Sequence, residues 1–239
     1  MRLGMTLLFL MLYCSLEMKA QTADDVVKKY VQFIGGKKTW KRVQTITTSG
    51  EYDYGGIVFP FHTYSKGPDK YKFVVPFNGK YYAQAFDGTK GWTIDAFKNE
   101  TKPTLLSGKA ALAMANESDV ELESAFINYS EKGHQVILVG KDSVDHRMCF
   151  NIQLTRKTGE IEHYYFDEKD ADLVKKRAAA KNVELGGALL AIAYSDYREV
   201  QGIRIPFKTI CESDGQMILT ITISNAAINT PIDDKIFQP

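Results

Sequence analysis

Tyr71-Lys72-Phe73-Val74-Val75-Pro76-Phe77, then Asn78-Gly79, then Lys80-Tyr81-Tyr82-Ala83-Gln84-Ala85-Phe86, then Asp87-Gly88, and finally Gly91-Trp92-Thr93-Ile94 read as three antiparallel strands joined by hairpins. Asn-Gly and Asp-Gly tolerate the positive φ that a type I′ turn demands, and that turn twists with the strands it joins. Tyr71, Phe73, Val75 and Phe77 recur at period two on one face, with Lys72 opposite. Val74 and Pro76 make the other face apolar as well. Such a sheet must be covered on both sides or line a cavity on one of them. That choice is the functional question posed by this chain.

Working outward, Thr22 to Ile34 has helical periodicity. Thr22 can cap it, Asp24 and Asp25 suit the positive end of its dipole, Val26, Tyr30 and Ile34 form a stripe, and Gly35-Gly36 ends it. Ahead of it, Met1–Ala20 has the order of a secretory leader: Arg2, the apolar run Leu7 to Leu12, and a cleavage point near Ala20-Gln21. The run is too short to span a membrane. Tyr13 is not the small residue expected before a lipidated Cys14. Residues 21–239 are expected to form one domain.

Strands are expected at Val43–Tyr52 and Ile57–Lys66, leading into the three-strand meander. Phe97–Tyr129 then breaks the rhythm, with Pro103 and two helical patches, Leu105–Met114 and Val120–Tyr129. Long insertions of this kind are often lids or binding segments. Strand rhythm resumes from His134 and continues to Ala226, giving about a dozen evenly spaced strands, as in a curled sheet or barrel. Gly56-Ile57-Val58-Phe59-Pro60-Phe61-His62-Thr63 is echoed by Gly202-Ile203-Arg204-Ile205-Pro206-Phe207-Lys208-Thr209. Each proline should mark an edge, a bulge or a strand start, because it cannot donate to a ladder.

Composition narrows the function. The content of 44% hydrophobic and 25% charged residues is that of an ordinary globular chain, and a net charge of +1 argues against nucleic acid as the main partner. Beyond the leader two cysteines remain, Cys149 and Cys211, which suit small buried apolar positions or a single disulfide in an exported protein. His62, His134, His146 and His163 lie far apart without zinc-site spacing. No nucleophile elbow or phosphate-binding glycine loop is present. The run Asp167-Glu168-Lys169-Asp170-Ala171-Asp172 lacks the calcium-loop spacing and reads as a solvated turn. Lys175-Lys176-Arg177 reads as the polar side of a strand. Asn99-Glu100-Thr101, Asn116-Glu117-Ser118 and Asn128-Tyr129-Ser130 match the glycan acceptor pattern. No cofactor or metal is expected.

Ser65-Lys66-Gly67-Pro68-Asp69-Lys70-Tyr71, followed by Asp87-Gly88-Thr89-Lys90-Gly91-Trp92-Thr93-Ile94-Asp95-Ala96-Phe97, resembles the LolA family of periplasmic lipoprotein carriers. So do Tyr194-Ser195-Asp196-Tyr197 to Pro206 and the ending Pro231-Ile232-Asp233-Asp234-Lys235-Ile236-Phe237, which look like the outer membrane lipoprotein-sorting group. The order of elements agrees over nearly the whole chain after the leader. The resemblance implies an unclosed antiparallel β-barrel with an N-terminal helix and a helical lid over an apolar cavity. It further implies a non-enzymatic periplasmic carrier of lipoprotein acyl chains or lipid, with a membrane donor or acceptor protein as partner. In the carriers an arginine precedes the proline that here follows Gly67; Lys66 and Lys70 flank it but have no planar guanidinium. Tyr71, Phe73, Tyr82, Phe86, Trp92, Leu112, Met114, Leu122 and Phe126 are the candidate cavity lining. A lipid-sensing module that signals to a membrane partner is the second reading, and a hydrolase on a curled β scaffold the third.

Overall fold

The computed structural model describes residues 21–117, 124–180 and 187–239. The leader and Leu122 lie outside the described residues. Helix α1 (Ala23–Phe33) starts at a capping box: the Thr22 hydroxyl accepts from Asp25 N–H while the Asp25 carboxylate accepts from Thr22 N–H. A single turn, α2 (Lys37–Trp40), leads into the sheet.

Thirteen strands follow: β1 (Thr45–Tyr54), β2 (Ile57–Lys66), β3 (Lys70–Phe77), β4 (Lys80–Asp87), β5 (Gly91–Ile94), β6 (Thr104–Leu105), β7 (Gln135–Val144), β8 (Arg147–Thr155), β9 (Ile161–Asp167), β10 (Leu173–Ala179), β11 (Leu189–Val200), β12 (Ile203–Ser213) and β13 (Gln216–Ile228). They form one antiparallel sheet in the order β6-β5-β4-β3-β2-β1-β13-β12-β11-β10-β9-β8-β7. Two meanders, β1–β6 and β7–β13, are therefore sewn together by one seam between the first strand and the last. The sheet does not close: β6 and β7 are its two edges. The mainly β, unclosed architecture expected from the sequence is the one observed.

The seam is irregular at Ser49/Gly50. A side chain at Gly50 would place its Cβ 2.0 Å from the Thr222 carbonyl oxygen, so the two backbones approach closely only because residue 50 has none. The repeated proline motif has one explanation in both places. Pro60 lies beyond the last β2–β3 pair, His62–Val74, and Pro206 lies beyond the first β12–β13 pair, Lys208–Thr222. Each proline sits where its strand is laddered on one side, so the missing N–H is not missed.

Partners in an antiparallel ladder share a face, so the registers assign every side chain. Tyr71, Phe73, Val75 and Phe77 share a face with Phe86, Gln84, Tyr82 and Lys80, as the period-two reading requires. The first hairpin turn has Asn78 and Gly79 at φ 47° and 73°. The second departs from the tight form: residues 88–90 make a longer loop in which the Asp87 carboxylate accepts from Thr89 and Lys90 N–H, and Gly88 alone takes positive φ.

We call the face bearing α1 the inner face. Its core joins Val26, Val27, Tyr30 and Val31 of α1 to Ile152, Leu154, Tyr164 and Phe166 of β8–β9, and reaches the seam at Ile46 and Ile228. The helical insertion divides. Helix α3 (Gly108–Glu117) packs on β3–β5, with Met114 and Leu106 against Gly91. The expected second patch is not helical over its described part: residues 124–133 are successive turns, with Asn128 at φ 54°. Tertiary packing overrides the helical spacing, because Phe126 is taken up edge-on by Tyr30, Tyr164 and Phe166 at centroid distances of 5.9, 4.8 and 5.2 Å. The Tyr129 hydroxyl then ties this stretch to the Asp24 carboxylate of α1.

Candidate functional site: an aromatic wall on the inner face

Eight rings meet on the inner face of the first meander. Phe73 stands between Tyr52, Phe61 and Tyr82, at 5.6, 6.0 and 6.4 Å. Phe97, on the 3₁₀ turn Ala96–Lys98 after β5, packs on Phe59, Phe77 and Tyr82 at 5.5, 4.9 and 6.1 Å, and Tyr54 stacks beside Tyr52. Across the seam the same face continues in Leu219, Ile221 and Ile223 of β13, paired with Tyr54, Tyr52 and Gly50. Period-two alternation places these residues: Tyr52 and Tyr54 of β1, Phe59 and Phe61 of β2, and Phe73, Val75 and Phe77 of β3 are spaced by two.

The wall is not a filled core. Phe61 is buried, but Tyr52, Phe59, Phe73, Phe77 and Tyr82 are half-buried and Tyr54 and Phe97 are exposed. Burial nonetheless dries it, and with the neighbouring Tyr54 and Cys211 pushes the Tyr52 phenol up to about 12. Apolar area of this extent left partly open on a folded protein makes the wall a candidate binding surface. What its rings offer is dispersion and hydrophobic contact to apolar groups.

The structure sorts eight of the nine candidate residues, Leu122 lying outside those described. Tyr71, Phe73, Tyr82 and Phe86 share the inner face, with Phe86 buried. Met114 is buried above Gly91, and Leu112 is half-buried on the same helix. Trp92 does not join them. It pairs with Ala85 on the outer face, 2% exposed, beneath the C-terminal 3₁₀ turn Asp234–Phe237. Its indole N–H donates to the Phe237 carbonyl at 2.7 Å and the Lys72 ammonium lies 5.2 Å from its ring centroid. Phe126 belongs to the core under α1. Tyr52, Tyr54, Phe59, Phe61, Phe77 and Phe97 are wall residues outside that candidate set. The alternation in Ile57-Val58-Phe59-Pro60-Phe61 was the available signal for two of them.

The question set by the two apolar faces is thereby answered differently on each side. Over β3–β5 the outer face is closed by the C-terminal turn, which is pinned by Lys66 and Lys70 on Asp234 at 2.7 Å each and by Lys72 on the Ile236 carbonyl. The two lysines hold the Asp234 carboxyl down at about 2. The inner face keeps open aromatic area. Further along the outer face, the same C-terminal segment and β1, β2 and β13 border a groove of about 650 Å³ lined by Ser49, His62, Tyr64 and Asn225 together with Ala227 and Ile232.

Two other polar features are structural. Arg147 bonds Asp167 at 2.8 Å and Asp172 at 2.5 Å, so the acidic turn closes around a guanidinium. Lys176 is a correction to its reading as strand surface: it faces inward, 7% exposed, 3.2 Å from Glu162, which also accepts from Arg156 and Tyr164. Three consecutive basic residues in a strand cannot all face solvent at period two; Lys175 and Arg177 face out and Lys176 is met by a buried carboxylate.

Cys149 and Cys211 are free, and the registers put Cys149 on the outer face and Cys211 on the inner. Burial and then the Asp167 charge push the Cys149 thiol up to about 11. Both thiols are expected to react with a disulfide reagent at pH 8 far more slowly in the native protein than in denaturant. Labelling at equal rates in the two states would show that one of them is accessible.

No protein-family model matches this chain, and no curated protein does. Its fold does match solved structures. A DUF1329 family protein from Desulfovibrio piger superposes with a TM-score of 0.61 at 17% identity, covering 92% of this chain and 98% of the other. A LolA superfamily protein from Nitrosomonas europaea gives 0.58 at 14% identity, covering 92% and 99%. A Vibrio parahaemolyticus domain described as an outer membrane lipoprotein-sorting protein gives 0.56 at 10% identity, covering 90% and 96%. The long open antiparallel sheet with α1 and α3 on its inner face is the LolA-like fold.

Proposed function

We propose that this chain is an exported carrier that holds the acyl chains of a lipoprotein or lipid against the aromatic wall, without covalent chemistry. The observation that carries this reading is the wall itself: eight rings in mutual contact on one face, several left half-open, with α3 packed at their margin. The LolA-like fold supports it, since a LolA superfamily protein and a lipoprotein-sorting domain share the architecture. The leader read at Met1–Ala20 supports a periplasmic location. Helix α3 is the lid in this reading, and the turns around Phe126 are its fixed anchor. A membrane donor or acceptor is the partner class.

An acyl chain lying along the wall gains about 0.8 kcal/mol per methylene buried, so affinity should rise about fourfold per carbon until the wall is full. Displacement of a fluorescent fatty acid by saturated acids of increasing length measures this. Hydrogen exchange in 91–117 should slow with ligand, and more so with longer chains. Phe73→Ser should weaken every member of the series. Absence of saturable acyl binding, or affinity indifferent to chain length, would sink the proposal.

A further inference from the structure

Six of the twelve large apolar side chains exposed among the described residues gather on neighbouring hairpins at one end of the sheet. Tyr54, Ile57 and Val58 form the tip of the β1–β2 hairpin and are 54%, 62% and 55% exposed. Met217 stands at the β12–β13 tip beside it, since Tyr54 pairs with Leu219 across the seam. Tyr81 flanks the β3–β4 tip, and Phe97 sits next to that tip through its contact with Phe77. In an antiparallel meander alternate turns lie at the same end, so these three hairpins project together. The turns at the other end, residues 67–69, 88–90, 145–146, 168–172 and 201–202, are polar, and Met148 is their exposed large apolar neighbour among the described residues.

We infer that this rim docks on the surface of a phospholipid bilayer, with the hairpin tips seated at the head-group boundary. Two features single out a bilayer. The apolar residues sit on separate projecting tips, a shape that a fluid phase accommodates without a matching set of pockets. Tyr54 and Tyr81 accompany Lys80 and Lys98 there, and tyrosines and lysines beside aliphatic tips are the residues that anchor proteins at that boundary. The rim also runs into the wall: Phe97 touches Phe77 at the tip and Tyr82 further in, so an acyl chain leaving the bilayer meets apolar surface throughout. This last point rests on the carrier reading; the docking itself does not.

The test is flotation of the purified protein with mixed phosphatidylethanolamine and phosphatidylglycerol vesicles. The wild type should float with the vesicles. Ile57→Asp with Val58→Asp, and separately Met217→Asp, should each cut the bound fraction by about tenfold or more, because tips that entered the boundary now carry charge there. Val139→Asp, at an exposed apolar position on edge strand β7, should float like wild type. The fluorescent fatty acid, assayed without vesicles, should bind the tip variants as it binds wild type. That separates the inference from the carrier reading, which the acyl assay alone decides. A wild type that stays in solution, or tip variants that float undiminished, would overturn the docking. So would a wild-type dimer that the tip variants dissolve and that ignores vesicles, because the rim would then be a contact between copies.

Discussion

Trp92→Ala should lower the free energy of unfolding by about 3–5 kcal/mol, a loss readable as a shift of the denaturant midpoint at unchanged slope. The residue is among the largest fully enclosed side chains, and it sits on Ala83, Ala85, Ile94 and Val74 where little else can fill the space it vacates. Small neighbours leave a residual cavity, and cavity volume adds to the lost transfer energy. Its indole N–H also leaves the Phe237 carbonyl unpaired. Trp92→Phe should therefore cost distinctly less than alanine while still exceeding a surface change. Phe237 is fully buried on the same side, so Phe237→Ala combined with Trp92→Ala should be less than additive. An unmoved midpoint for Trp92→Ala would mean that the outer-face core is not formed as described.

Glu162→Ala should be destabilising to a similar degree, about 3–5 kcal/mol, for an unrelated reason. Glu162 is 1% exposed and receives Arg156 at 2.9 Å, the Tyr164 hydroxyl at 2.8 Å and Lys176 at 3.2 Å. Alanine would remove the carboxylate and leave two cations in a place from which water is largely excluded. Glu162→Gln keeps the shape and one accepting oxygen but not the charge, and should fall between wild type and alanine. Lys176→Met made in the Glu162→Gln background should recover part of the loss, since the pair is then replaced by groups needing no counter-charge. Full stability in Glu162→Ala by thermal and chemical denaturation would show that the cations find other partners.

What could be read from the sequence follows the range over which each feature is decided. The Thr22 cap, the Asn78-Gly79 turn and the facing of Tyr71, Phe73, Val75 and Phe77 depend on neighbours a few residues away, and each stands as read. Pro60 and Pro206 were legible as markers of one-sided pairing for the same reason. Trp92 was not, because period two says that it opposes Phe86's face but not what covers it; the cover is a segment 145 residues later. Phe126 was misplaced by a spacing that is helical in sequence but serves a series of turns whose rings answer to Tyr30 and Tyr164. Lys176 looked like surface because its counter-charge comes from another strand. Most of the wall is not legible in sequence because Tyr52, Phe59 and Phe97 each look unremarkable alone and become a surface only when β1, β2 and the turn after β5 are brought side by side.

The seam between β1 and β13 also has a consequence for the order in which the molecule can be built. Every other ladder joins strands consecutive in the chain, whereas Ile46 must find Ile228. Loop closure of that length is the slowest kind of contact to make, so each meander can assemble on its own before the two are joined. The apolar surface facing Tyr52 is completed by Ile221 and Leu219, which belong to the later meander. A newly made chain would thus complete its greasy surface only in the final folding event, when the two meanders join.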